Sequence, residues 1–110
     1  MSIVVNIIYS GKGNNARNFA EEMENSGIAN QIRSVPGNIQ YEYFFPLRSL
    51  DTVLLIDKWN SQEVLDQHHE STMMQTIAAL REKYDLHMTV KRYIEDKEYK
   101  LAQDSRYIRE

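Results

Sequence analysis

Hydrophobic and polar positions alternate along this chain in recognisable periods. The run IVVNIIY, Ile3 to Tyr9, is β-branched or aromatic on both alternating phases, with only Asn6 interrupting, and it closes on Gly-Lys-Gly. That pattern predicts a central strand buried on two sides. Ala16, Phe19, Ala20 and Met23 then recur at helical spacing, which predicts a helix capped by Asn14 or Asn15 and ended by Gly27. After the Pro36-Gly37 turn, IQYEYFFPL places Ile39, Tyr41, Tyr43 and Phe45 on one face and Gln40 and Glu42 on the other, a strand that is aromatic on one side. VLLIDKW predicts a third strand, with Val53, Leu55, Asp57 and Trp59 pointing one way and Leu54, Ile56 and Lys58 the other. Asn60 with Glu63, and Thr72 with Gln75, are spaced as capping pairs for a short helix through His69 and a longer one ending near Tyr84. LHMTVKRYI, Leu86 to Ile94, alternates Leu86, Met88 and Val90 against His87, Thr89 and Lys91 as a fourth strand.

The order β-α-β-β-α-β predicts an α+β, ferredoxin-like domain: an antiparallel four-stranded sheet with helical segments on one face. Strands one and three are nevertheless apolar on both faces, so the helix-free face needs another cover. A second copy of the chain is the simplest, and a homodimer is expected. Residues 1–94 form the expected domain. Residues 95–110 are charged and are expected to be a tail or an arm contacting a partner.

Composition narrows the function classes. The 110 residues suit one domain, and no apolar stretch approaches the roughly 20 residues that span a bilayer. No membrane association is expected. The N-terminus lacks signal-peptide features and the chain has no Cys, so a cytoplasmic location is expected. A formal net charge of −3 with interspersed bases offers no field for nucleic acid. Adjacent His68 and His69 diverge on a helix and no His-x-x-x-His pair exists, so no metal site is expected.

Few residues remain that can carry chemistry. With Asn60 as the cap, Val64, Leu65 and His68 fall on the inward face and His69 at its edge. An inward histidine is commonly a hydrogen-bonded core residue, Trp59 a core ring, and Asn6 a buried amide paired to backbone. The other reading joins them: His68, Trp59, Asn6 and the Tyr41/Tyr43/Phe45 face, with Leu65 and Met73 nearby, would line one apolar cavity for a flat organic molecule.

The segments NAR-FAEEM, PGN-YEYFFPL, VLLIDKW, LD-HH-S-MM and LREKYDLHM-V-RY together resemble the antibiotic biosynthesis monooxygenase family, in its small quinol-monooxygenase-like branch. The resemblance runs from about Ile3 to Ile94. It implies a dimeric α+β barrel with a ligand cavity between sheet and helices in each subunit. It also implies oxygenation of a phenolic or quinol-type substrate by molecular oxygen without any cofactor. His68 matches the histidine that the family places after Leu-Asp-x and would be the base or anion partner. Trp59 matches the tryptophan that ends the third strand and would be a cavity wall, and Asn6 would donate a hydrogen bond to substrate or oxygen. Haem-degrading relatives share an Asn on the first strand, but where they carry a catalytic Trp and an iron-binding His this chain has His68 and Ala78, so haem degradation is disfavoured. A non-oxygenase enzyme or a ligand-binding protein on the same fold is the alternative.

Overall fold

The computed structural model describes residues 2–96 and 105–109, and most of the expected C-terminal arm lies outside the described residues. The elements follow in the order β1 (Ile3–Ser10), α1 (Asn15–Asn25), α2 (Ile28–Arg33), β2 (Asn38–Phe44), β3 (Thr52–Trp59), α3 (Gln62–His69), α4 (Thr72–Lys83) and β4 (His87–Ile94). The sheet has the order β2-β3-β1-β4, and its three pairings are all antiparallel. This is the ferredoxin-like α+β arrangement that the pattern predicts, with β4 at one edge and β2 at the other.

Burial alternates along β3 without exception, so Val53, Leu55, Asp57 and Trp59 face the helices. Register puts Val5, Ile7 and Tyr9 of β1 on that same face, opposite Asp57, Leu55 and Val53. The core closes over them with Phe19, Ala20 and Met23 of α1, Ile32 of α2, Leu65 of α3, and Ile77 and Leu80 of α4. The other phase, with Val4, Asn6, Ile8, Leu54 and Ile56, forms a face that none of the helices α1 to α4 among the described residues covers, and Ile8 on it is 40% exposed. The two-faced character of β1 and β3 is therefore real.

Local features at the helix ends and in β2 differ from the pattern. Gly27, at φ 87°, ends α1 as predicted but also starts α2, which is too short to show a helical period. Arg33 fixes α2 to the sheet by donating from Nε to the Tyr41 carbonyl at 2.8 Å, while its other nitrogens bind the Glu24 carboxylate. In β2 the register shifts between Asn38 and Gln40, which takes Ile39 out of the alternation, and the strand ends at Phe44, so Phe45 does not continue the aromatic row. Finally, Ser61 rather than Asn60 caps α3, its hydroxyl accepting from the Val64 N–H at 3.2 Å, and Ser71 rather than Thr72 stands at the N-cap of α4.

Candidate active site

Trp59 ends β3 fully buried, and the chain turns at once into α3, which crosses the helix-side face of the sheet. The approach is close because position 37 has no side chain. A Cβ on Gly37 would stand 2.7 Å from the Val64 Cγ1, so the glycine lets the start of α3 rest on the turn before β2. Leu65 then anchors the helix in the core at 2% exposure, whereas Val64 is only partly buried. With Leu65 pointing at the sheet, residues three and four further on straddle that direction, and these are His68 and His69.

The two imidazoles face different hollows. His68 is 6% exposed and stacks on the Trp59 indole at a centroid distance of 4.9 Å and an interplanar angle of 27°. It opens on a cleft of about 240 Å³ shared with Val35, Pro36, Val64, Gln67, Ser71 and Met73. Burial, reinforced by the charges of His69 and Arg81, pushes its pKa below the ordinary histidine value and favours the neutral ring. His69 lies on the other side of α3, in a cavity of about 320 Å³ between the helix pair and strands β1 and β4. Val5 and Ile7 form the floor of this cavity, Met88 and Val90 its β4 side, and Leu65 and Met74 its helix side. Its polar lining is Gln62, His69, Arg81 and Arg92, with no carboxylate among them. Three other hollows are larger: two of about 420 Å³, along the outer residues of β2 and at the α4–β4 turn, include acidic side chains, and one of about 360 Å³ beside Ile3, Tyr93 and Ile94 shares Gln62 and Arg92 with this cavity.

Beneath the cavity runs a buried polar layer. The Arg81 guanidinium donates to the Tyr9 phenol oxygen from Nε at 3.2 Å and from Nη2 at 2.9 Å, which fixes its direction. Burial raises the Tyr9 pKa despite that cation. Tyr41 and Tyr43 share a hydroxyl–hydroxyl bond of 2.9 Å, and burial likewise keeps both phenols neutral. Asp57, 6% exposed, accepts from the Asn38 Nδ2 at 3.3 Å. Burial pushes its carboxyl up to about 7, although the nearby Trp59 indole and Asn38 favour its charged form. The Trp59 N–H is buried without a hydrogen bond of normal geometry, so its help to Asp57 is that of an oriented dipole.

The structure distributes the predicted site residues rather than gathering them. Leu65 lines the larger cavity, whereas His68 and Met73 line the cleft and Trp59 lies behind His68. Tyr41 and Tyr43 are on the helix-covered face, toward α1, where Tyr43 meets the Phe19 ring edge-on at 6.1 Å. Phe45 is 46% exposed with the Arg17 guanidinium 4.4 Å above its ring. Asn6 belongs to the opposite face of the sheet, between Ile56 and Lys91, where its carbonyl oxygen is buried without a partner. A single cavity containing all of these is thus corrected to two hollows and an outer face. Of the polar cavity residues, Gln62, Arg81 and Arg92 are ones that the pattern did not single out, and His69 is one that it placed only at the edge of the inward face. Two signals point to them: Arg81 continues the Ile77 row of α4, and Arg92 takes an inward phase of β4 between Val90 and Ile94.

Among the described residues, no group of three or more His, Cys, Asp or Glu is placed to hold a metal ion, and no helix is long and apolar enough to cross a membrane. Residues 2–80 match the family described as antibiotic biosynthesis monooxygenase. Several solved structures share the fold. A candidate antibiotic biosynthesis monooxygenase from Deinococcus radiodurans superposes with a TM-score of 0.75 at 12% identity, covering 86% of this chain and 93% of that one. SnoaB, a cofactor-independent oxygenase from Streptomyces nogalater, gives 0.73 at 8% identity, with 87% and 94% covered. A conserved protein from Methanosarcina mazei Go1 gives 0.75 at 18% identity, with 87% and 94% covered. Curated proteins compared with the sequence yield no match.

Proposed function

Because the chain belongs to the antibiotic biosynthesis monooxygenase family, we propose that it is a cofactor-independent monooxygenase that oxidises a small phenolic or quinol-type substrate with molecular oxygen in the β1–β4 cavity. The observation that carries this reading is the lining of that cavity: apolar walls for a flat ring, one imidazole, two guanidiniums and no carboxylate. An imidazole is the lining group able to take and release a proton near neutral pH. His69 accepts the substrate hydroxyl proton, and Arg81, held by Tyr9, stabilises the resulting oxyanion. The electron-rich anion passes an electron to oxygen, and the substrate radical and superoxide recombine to form a carbon–oxygen bond. Cleavage of the O–O bond then leaves one oxygen atom on the substrate carbon and releases the other as water. The substrate supplies all the electrons.

Oxygen consumption with a panel of naphthoquinols and anthrone-like phenols, in chelator-treated buffer, tests this. One oxygen molecule consumed per substrate, well above the spontaneous rate, is expected. Binding without consumption would make the chain a ligand-binding protein on the same fold.

One observation favours a second arrangement on the same chemistry. Neutral, buried His68 on Trp59 is suited to accept a proton from a ligand entering the smaller cleft. In either arrangement the uncovered sheet face, with Ile8, Leu54 and Ile56 around Asn6, is proposed to meet the same face of a second copy. Burial of more than roughly 1,200 Å² is expected there, and light scattering at micromolar protein should give twice the chain mass.

A further inference from the structure

We infer that the substrate carries a carboxylate, held at one end of the cavity by Arg92, whose fork Gln62 orients. The inference rests on the reading above that this cavity is the substrate site. The chain as a whole is acidic, with 16 Asp and Glu against 13 Lys and Arg, yet the cavity is lined by two arginines and a histidine. Neither guanidinium has a carboxylate partner among the described residues, since the ion pairs of the fold use Arg33, Lys58 and Lys83. A guanidinium facing an apolar hollow without a counter-ion is matched by an anionic ligand group.

The two arginines do different work because they stand at opposite ends. Arg81 is bound to Tyr9, whose strand partner on β4 is Met88. Arg92 pairs with Val5, four residues further along β4, or about 13 Å at strand rise. The strand positions beneath the two groups are thus separated along the sheet, so one end of a fused aromatic ligand takes the developing oxyanion and the other a permanent anion. Arg92 is also prepared for a planar acid. It interrupts the apolar inward row Met88, Val90, Ile94, and its Nη2 donates to the Gln62 side-chain oxygen, while the Gln62 Nε2 donates to the Asp66 carboxylate at 2.7 Å, so the amide is held and orients one edge of the Arg92 fork.

Calorimetric titration with 2-naphthoate and its uncharged isostere 2-naphthamide tests the inference without requiring turnover. The naphthoate should bind at least about tenfold more tightly. Arg92→Gln should abolish that preference by weakening naphthoate binding far more than naphthamide binding. Arg92 lies on an exposed edge strand, and a melt of the variant checks that it folds. Equal binding of the two probes would overturn the proposal, as would a preference that survives Arg92→Gln or that depends only on Arg81→Gln. Selective naphthoate binding by a protein that consumes no oxygen would instead retire the oxygenase reading and leave the acid site standing.

Discussion

His68 and His69 are neighbours in sequence and have opposite surroundings. His68 is walled in by Trp59 and the turn before β2, kept neutral by burial, and opens on a small cleft without a cation in its lining. His69 shares a larger hollow with Arg81 and Arg92. The difference teaches that burial and chemical usefulness are separate properties. The deeper histidine has a stacked ring, while the shallower one shares its hollow with two guanidiniums, the groups that the proposed function needs to hold a charged intermediate.

Exchanging the two rings for amides is the sharpest way to break this comparison. His69→Gln should lower turnover by roughly 10²–10⁴, the usual contribution of a general acid or base, with an unchanged melt. His68→Gln should lower stability more than turnover, because it removes a stacked ring from the core. Steady-state kinetics beside thermal melts separate the two effects, and the reverse pattern would move the chemistry to the cleft.

Asp57 and His68 have opposite pH signatures. The Asp57 carboxyl is raised from 3.8 to about 7 in the folded chain, so between those values the native state holds a proton that the unfolded state has lost. Stability therefore falls as pH rises through that window, by up to about 4 kcal/mol when complete. Asp57→Asn should stabilise the protein above neutrality and have little effect near pH 4. His68 works the other way: its depressed pKa makes the native state lose stability as pH falls below 6.5, and His68→Gln should flatten that acid limb. Denaturant melts across the range resolve the two slopes. The smallest effect expected is that of Tyr9→Phe, which removes the acceptor of two Arg81 hydrogen bonds and should cost about 1 kcal/mol, measurable as a modest drop in melting temperature.

Much of the scaffold was legible in the pattern because strand and helix periods are set by burial. The inward row of β3 and the core row of α1 follow directly from spacing. The site was less legible, for identifiable reasons. A strand apolar on both phases does not reveal which face the helices cover, so Asn6 had no assignable side until the register paired Val5 with Asp57. The divergence of α3's neighbours was clear, but the reference was not. Taking Val64 as the inward residue favours His68 alone, whereas Leu65, the residue that is buried, has both histidines at its flanks. Arg92 carried a usable signal, since a cation on an inward strand phase needs a partner, and the structure supplies Gln62.

The location of the chemistry can be tested by blocking the cavity from its open side. Val90 lines it from edge strand β4 and is 50% exposed, so Val90→Trp can fill the hollow without straining the core. Oxygen uptake with an active quinol in chelator-treated buffer should show one oxygen molecule consumed per substrate by the wild type. Val90→Trp should show a large loss of rate at an unchanged melting temperature. A wild-type rate no faster than the spontaneous reaction, or full activity in Val90→Trp, would contradict the assignment of oxygenation to this cavity.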